Sequence, residues 1–303
     1  MALRRAKRDP SPPARRWFGW RRGLALCGWL GTLTGVAWGL HTLETQVRAA
    51  QPDQPCRLEW VELPLWLSTD ASQPILRQLA AATGLRAEDR ADDPDLVRRV
   101  CEGLSQSPWV ARVQRVTRLA DGRLRVQAQY REPFAFVEQA GYVYLVDEQG
   151  VRLPHKQFTA YVEERYWNEW LRITGTAGSV PEEGQAFVGD DVAAGLRLVR
   201  FLKEAGARGE VPFRPALRAV DVGNFRRRED SYDGELRLRT IHPKSYVAWG
   251  LPPGAEFDVE ARATRKLEML RALYGEHGGQ FPDGWIYDVR GADGIRRWAY
   301  KGR

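Results

Sequence analysis

Hydrophobic and polar residues along residues 58–131 follow two different periods, which predict strands and helices. Residues 123–130 alternate strictly between polar and apolar side chains, and this period of two is typical of a half-buried strand. The Asp121-Gly122 pair before them is a hairpin signal. Residues 74–83 and 96–104 instead carry apolar side chains at helical spacing. With apolar strands predicted at Leu58–Leu67 and Trp109–Val116, the predicted order is β-α-α-β-β.

Residues 132–303 are richer in short strand patterns. Two amphipathic helices are predicted at Asp190–Ala205 and Glu260–Tyr274, and a final hairpin at Trp285–Val289 and Ile295–Tyr300. Residues 155–170 are aromatic and charged without a clear period, so no element is predicted there. The pattern as a whole predicts an α+β protein with a module at 58–131 and a C-terminal mixed β domain at 132–303.

The segment Gly23–Leu43 contains no Asp, Glu, Lys or Arg over 21 residues. As a helix it would be about 31 Å long, close to the roughly 30 Å hydrocarbon core of a bilayer. Aromatic residues and Arg21-Arg22 precede it, which predicts a single transmembrane helix with a cytoplasmic N-terminus. Residues 1–22 would then be a basic cytoplasmic tail, and residues 44–57 a polar linker.

A cleaved signal peptide and a twin-arginine signal are the alternatives for this segment. Val47-Arg48-Ala49 resembles a cleavage site, and Arg15-Arg16-Trp17-Phe18 partly matches the twin-arginine motif. The length and flanks of the apolar run favour the uncleaved helix. Gly31, Gly35 and Gly39 recur every four residues, which predicts a surface for helix packing within the membrane, although glycine is common in membrane helices generally.

The net charge of +7 has a local origin. Residues 1–22 contain eight basic residues and one acidic residue, so the other 281 residues sum to zero. Nucleic-acid binding requires a basic face on a folded domain, and this distribution argues against it.

Residues that would support catalysis or metal binding do not form a recognised pattern. Nucleophile-elbow, zinc-protease and phosphate-loop motifs are missing, and the four histidines follow no ligand spacing. We therefore predict neither a catalytic site, nor a metal or cofactor, nor a small-molecule substrate. Cys56 and Cys101 are a candidate disulfide pair, with two free thiols as the alternative.

The last predicted strand is the candidate partner-binding site. Little chain follows it to cover its edge, and an uncovered edge strand invites pairing with another polypeptide. The alternative is an ordinary closing strand. The candidate residues are Ile295, Arg296, Arg297, Trp298, Ala299 and Tyr300.

Several segments, in this order, resemble the bacterial cell-division proteins of the FtsQ/DivIB family. They are SPWVARVQRV at 107–116, LRVQAQYREPFAFV at 124–137, YVYLVDEQGVRL at 142–153, LRITG at 171–175, YVAWG at 246–250 and IYDVR at 286–290. The resemblance implies a POTRA-like module at 58–131 followed by a β domain.

The same resemblance implies a function as a non-enzymatic scaffold of the cell-division complex, in the inner membrane at the septum. The implied partners are bitopic proteins resembling FtsB and FtsL, bound by strand addition at Ile295–Tyr300. Two alternatives remain. One is a POTRA-containing assembly or translocation factor that handles client polypeptides, and the other is an anchored enzyme with an unrecognised site.

Overall fold

The computed structural model describes residues 18–50, 56–90, 93–154 and 171–300. The chain divides into two units, residues 1–55 and 56–303. The described residues contain five α-helices and twelve strands, an α+β composition. The helices are α1 Phe18–Ala50, α2 Gln73–Ala82, α3 Leu96–Ser105, α4 Asp190–Ala207 and α5 Ala263–Glu276.

The strands belong to two sheets. They are β1 Arg57–Val61, β2 Val110–Arg118, β3 Arg123–Tyr130, β4 Ala135–Gln139, β5 Tyr142–Val146, β6 Arg152–Leu153, β7 Arg172–Thr174, β8 Leu217–Asp221, β9 Leu236–Thr240, β10 Tyr246–Gly250, β11 Trp285–Asp288 and β12 Arg296–Ala299. The smaller sheet has the order β1-β3-β2, and the larger has the order β12-β11-β10-β9-β8-β7-β4-β5-β6.

The prediction of a transmembrane helix is wrong for the part of the chain that the structure describes. Within residues 18–50, 56–90, 93–154 and 171–300, no helix is both long enough and apolar enough to cross a bilayer. The physical reason lies in the composition of Gly23–Leu43, which lacks charge but includes five glycines, three threonines and a histidine. Such residues add little or no apolar surface, so a segment free of charges is not necessarily hydrophobic.

α1 continues to Ala50, so the first half of the predicted linker at 44–57 is helical. Residues 51–55, and the predicted irregular stretch at 155–170, lie outside the described residues. The first predicted strand is shorter than expected. β1 ends at Val61, and Leu65–Leu67 forms a 3-10 turn after Pro64, whose ring cannot supply a ladder hydrogen bond.

The smaller sheet packs one face against α2 and α3. Leu124 and Val126 of β3 point to this face and are fully buried with Leu79, Val100 and Leu104 of the helices. The order of elements is β-α-α-β-β, as the pattern of residues 58–131 predicts. β1 pairs with β3 in parallel and β2 pairs with β3 in antiparallel orientation.

The larger sheet is buried on both faces at one end and on one face at the other. In β4, Val137 faces the core formed with α4 and α5, while Phe136 faces the core of the smaller sheet. In β10, Val247 and Trp249 face the α4–α5 core. Tyr246 and Ala248 lie on the opposite face, which neither of the two main cores covers. This outer face of the sheet continues from β10 across β11 to β12.

Candidate partner-binding edge

β12 is the last strand of the larger sheet, and its hydrogen-bonded neighbour is β11. The two strands are antiparallel, with Ile286 opposite Trp298 and Asp288 opposite Arg296. No other strand in the described part of the chain pairs with the outer side of β12. All four residues of the strand are exposed, including Trp298, which keeps 39% of its surface in contact with solvent.

The hydrogen-bond pattern shows which main-chain groups of β12 face outward. The N–H of Tyr300 donates to the carbonyl oxygen of Gly284 at 2.8 Å. Inward-facing and outward-facing residues alternate along a strand of an antiparallel pair. Trp298 therefore faces β11 with its N–H and C=O, whereas those of Arg297 and Ala299 point away from the sheet. These outward groups are the ones that an added strand would use.

The opposite edge of the sheet is covered. The N–H of Arg152 in β6 donates to the carbonyl oxygen of Gln185 at 2.9 Å, and the N–H of Gly184 donates to the carbonyl oxygen of Arg152 at 2.8 Å. The segment that contains Gly184 and Gln185 thus occupies the hydrogen-bonding groups of β6. The two edges differ, and β12 is the exposed one.

A hollow of about 700 Å³ lies on the outer face of the sheet beside β12. Trp298 and Tyr300 form part of its wall, with Ile286 from β11 and Tyr246 from β10. The rings of Tyr246 and Tyr300 meet edge to face, with centroids 6.5 Å apart. This geometry is favourable for aromatic pairs and fixes Tyr300 beside the end of β12.

The floor of the hollow is charged. Arg237 of β9 is almost fully buried, and its Nη1 donates to Glu229 at 2.7 Å. Its Nη1 also lies 3.6 Å from Asp221, and its Nε lies 2.8 Å from a carboxylate oxygen of Asp233. The Nε–H does not point at that oxygen, so the contact with Asp233 is an ion pair without a hydrogen bond.

Arg239, the next arginine on this face, donates through Nε to Asp221 at 2.8 Å. A buried charge is tolerated only when it is paired, and here carboxylates flank both arginines. The hollow therefore has a floor of paired charges and an aromatic rim.

Tyr246 connects the charged floor with the aromatic rim. Its hydroxyl donates to Asp233 Oδ2 at 2.8 Å, and the guanidinium of Arg239 lies 5.3 Å from the ring centre. Burial, together with the hydrogen bond to Asp233, raises the pKa of Tyr246 well above its usual value. The phenol is therefore neutral at physiological pH and remains a hydrogen-bond donor.

The other face of β12 contacts the end of α5. Arg297 Nη2 donates to Glu276 at 3.4 Å, and Nη1 lies 3.2 Å from Nε2 of His277. Ile295, just before the strand, is partly buried against the α4–α5 core. Contacts of Arg297 and of the flanking residues Ile295 and Tyr300 thus hold β12 in place, while all four residues of the strand remain exposed.

The candidate residues from Ile295 to Tyr300 lie together in and around β12. Gly31, Gly35 and Gly39 lie on α1, and a Cβ at any of them would meet no atom within 4 Å. Cys56 and Cys101 are both free, so the candidate disulfide is not formed and the alternative of two free thiols holds. Cys56 Sγ lies 3.6 Å from the carbonyl oxygen of Gly122.

Sequence reasoning missed the buried charge beside β12. The alternating LRLRT of residues 236–240 indicates that Arg237 and Arg239 share one face. The burial of Arg237 depends on Asp221, Glu229 and Asp233, which come from another strand and a long loop. No periodicity within one element carries that information.

In the described residues, no three His, Cys, Asp or Glu side chains are grouped as a metal site.

No protein-family model matches the chain, and no curated protein matches it.

Proposed function

We propose that the protein is a non-enzymatic scaffold that binds an extended segment of a partner protein by strand addition at β12. The partners would be division proteins resembling FtsB and FtsL, and the place of action would be the division septum. The motifs that resemble the FtsQ/DivIB family, such as YVYLVDEQGVRL and IYDVR, support the choice of partners.

The observation that carries the proposal is the free outer side of β12. Arg297 and Ala299 present main-chain groups that no other strand of the described chain uses. A water-exposed strand edge of this kind gives an incoming strand a complete set of hydrogen bonds. The hollow lined by Trp298 and Tyr300 lies next to this edge and would accept a side chain of the added strand.

Proline at position 299 tests strand addition directly. The N–H of Ala299 points away from β11, so Ala299→Pro removes a donor for the partner while the ladder with β11 stays intact. We expect Ala299→Pro to lose co-purification with FtsB-like and FtsL-like proteins from the native host. Ala299→Val keeps the N–H and is the matched control, which should co-purify normally.

Retained binding by Ala299→Pro would contradict strand addition at this edge. A fluorescent fusion of the full chain provides a second measurement in dividing cells. Enrichment at mid-cell is the expected result for a division scaffold. Uniform distribution in the cell envelope would instead favour an assembly factor or an enzyme.

A further inference from the structure

The second open strand edge is β2, at the border of the smaller sheet. β2 pairs with β3 on one side, and no other strand of the described chain pairs with it on the other. Within the described part of the chain, the main chain of residues 111–118 makes no hydrogen bond outside the β2–β3 ladder. With nine residues, β2 is also the longest strand described.

Register places two arginines of β2 on the solvent face of this sheet. The buried residues of β3 have even numbers, so the odd-numbered residues Gln127 and Gln129 face outward. Arg112 lies opposite Gln129, and Arg115 lies opposite Gln127. Residues directly opposite each other in an antiparallel pair share a face. Arg112 and Arg115 therefore point to the same, solvent-exposed side.

A bulge sets the spacing of these two arginines. In a regular strand, residues three apart would lie on opposite faces. The register of β2 shifts between Val113 and Arg115, so Arg112 and Arg115 correspond to positions only two apart on β3. Their separation along the sheet is therefore about 7 Å, the repeat of every second residue in a strand.

Charge is divided unevenly across this face. On the β1 side, Glu59 forms ion pairs with Arg123 and Arg125 at 3.0 and 3.1 Å. On the β2 side, both Arg112 and Arg115 are exposed, and no carboxylate of the described residues contacts either of them. Among the described residues on this face, positive charge without a carboxylate partner is thus concentrated at the open edge.

Charge on an edge strand also protects against pairing between copies of the same chain. Two copies joined at β2 would bring four arginines together, and like charges on facing strands are destabilising. The same arginines would attract a strand of opposite charge. An incoming strand would form hydrogen bonds with the free main-chain groups beside the arginines. An anionic lipid surface would leave those groups without such a ladder of hydrogen bonds.

We propose that β2 binds an extended acidic polypeptide whose carboxylates occupy alternate positions, i and i+2, opposite Arg112 and Arg115. Carboxylates at that spacing lie on one face of an added strand, about 7 Å apart, and match the two guanidinium groups. This surface is separate from β12, and the inference does not depend on the function proposed for that edge.

Two labelled peptides of identical composition test the spacing. One eight-residue peptide carries glutamates at i and i+2, and its isomer carries them at i and i+3, on opposite faces of a strand. Fluorescence anisotropy with the full chain should give at least tenfold tighter binding of the i,i+2 peptide, with affinity falling as salt is raised. Equal binding of the two peptides would overturn the proposal.

Charge-changing variants locate the site. The double variant Arg112→Glu/Arg115→Glu should lose the preference for the i,i+2 peptide, and the neutral variant Arg112→Gln/Arg115→Gln should lose it as well. Arg77→Glu/Arg218→Glu changes the net charge equally at exposed positions elsewhere and should keep the preference. A preference that survives in both variants at 112 and 115 would contradict the assignment.

A lipid-binding control tests the remaining explanation, that the two arginines bind anionic lipid and not a peptide. Vesicles of phosphatidylglycerol are not expected to discriminate between the wild-type chain and Arg112→Gln/Arg115→Gln. Vesicle binding that depends on these arginines, without any preference between the peptides, would assign the surface to lipid and overturn the proposal.

Discussion

Arg131 donates a hydrogen bond from Nη1 to Oδ2 of Asp147 at 2.8 Å, and this contact joins the two sheets. Arg131 follows β3, and its own N–H donates to the carbonyl oxygen of Trp109 beside β2. Asp147 follows β5, and its other oxygen accepts the N–H groups of Gln149 and Val151. One arginine therefore connects the smaller sheet to a buried turn of the larger sheet.

Replacing Arg131 should destabilise the fold. Arg131→Ala leaves the buried carboxylate of Asp147 without its cation, and we expect the free energy of unfolding to fall by about 2–3 kcal/mol. Urea denaturation followed by circular dichroism measures this change. Arg125→Ala is the matched control, because Arg125 is about half exposed and Glu59 keeps Arg123 as a second cation, so the loss should be less than about 1 kcal/mol. Equal losses of unfolding free energy in the two variants would show that the Arg131–Asp147 contact contributes no more to stability than the Arg125–Glu59 pair.

Gly103 permits the close packing of α2 and α3. A Cβ at this position would lie 2.1 Å from the carbonyl oxygen of Ala82, a main-chain atom at the end of α2. Gly103→Ala should therefore lower the free energy of unfolding by about 1–3 kcal/mol despite the better helix propensity of alanine.

Gly206 of α4 is the control for this substitution, because a Cβ there meets no atom within 4 Å. Gly206→Ala should raise the free energy of unfolding by about 0.5–1 kcal/mol. Thermal and urea denaturation of both variants test the pair. Stabilisation by both alanines would mean that the helices can separate without cost.

Tyr130 should make the stability of the fold sensitive to alkaline pH. Burial raises the pKa of Tyr130 to about 12, from an ordinary value near 10. The stabilising contribution is complete below pH 10, where the unfolded chain keeps its phenol proton, and is lost as pH rises from 10 to 12. With an allowance for its partial exposure, the loss should be about 1–2 kcal/mol.

Tyr130→Phe should remove the loss of stability at alkaline pH that comes from Tyr130. The variant therefore separates this contribution from the contributions of other tyrosines. Within the described residues the buried Tyr130 hydroxyl has no hydrogen-bond partner, so at pH 7 the variant should be as stable as the wild type or slightly more stable. Urea denaturation at pH 8 and pH 11 provides the comparison. The same pH dependence in both proteins would contradict the assignment to Tyr130.

Trp298 should contribute to partner affinity more than to folding. Trp298→Ala removes an exposed ring from the hollow, so the free energy of unfolding should change by less than about 1 kcal/mol. Binding of an FtsB-like segment should weaken by about 2 kcal/mol, or roughly thirtyfold, as is typical of a tryptophan anchor. Isothermal titration calorimetry measures the affinity. Phe257→Ala, an exposed aromatic outside the hollow, should bind normally.

Much of the order of elements could be predicted from the sequence. The helix predicted at Asp190–Ala205 ends two residues later, at Ala207. The alternation of residues 123–130 corresponds to β3 with its even-numbered residues buried inward. These predictions agree with the structure because the pattern of apolar side chains along one element fixes which face meets a core.

Other features could not be predicted in this way. The absence of charge in Gly23–Leu43 suggested a membrane span, but the glycines and polar residues of the segment leave α1 without sufficient apolar character. The spacing of Arg112 and Arg115 would place them on opposite faces, and the register shift in β2 reverses that expectation. A bulge depends on the partner strand, so it leaves no simple signal in the strand itself.

The sequence by itself determined the local elements, the concentration of the net charge in residues 1–22 and the aromatic character of the last strand. Only the tertiary structure decided that β12 and β2 are open edges and that Arg237 is buried among three carboxylates. The reason is physical. Side-chain periodicity is a property of one segment, whereas strand order and the pairing of buried charges arise when segments distant in sequence are brought together.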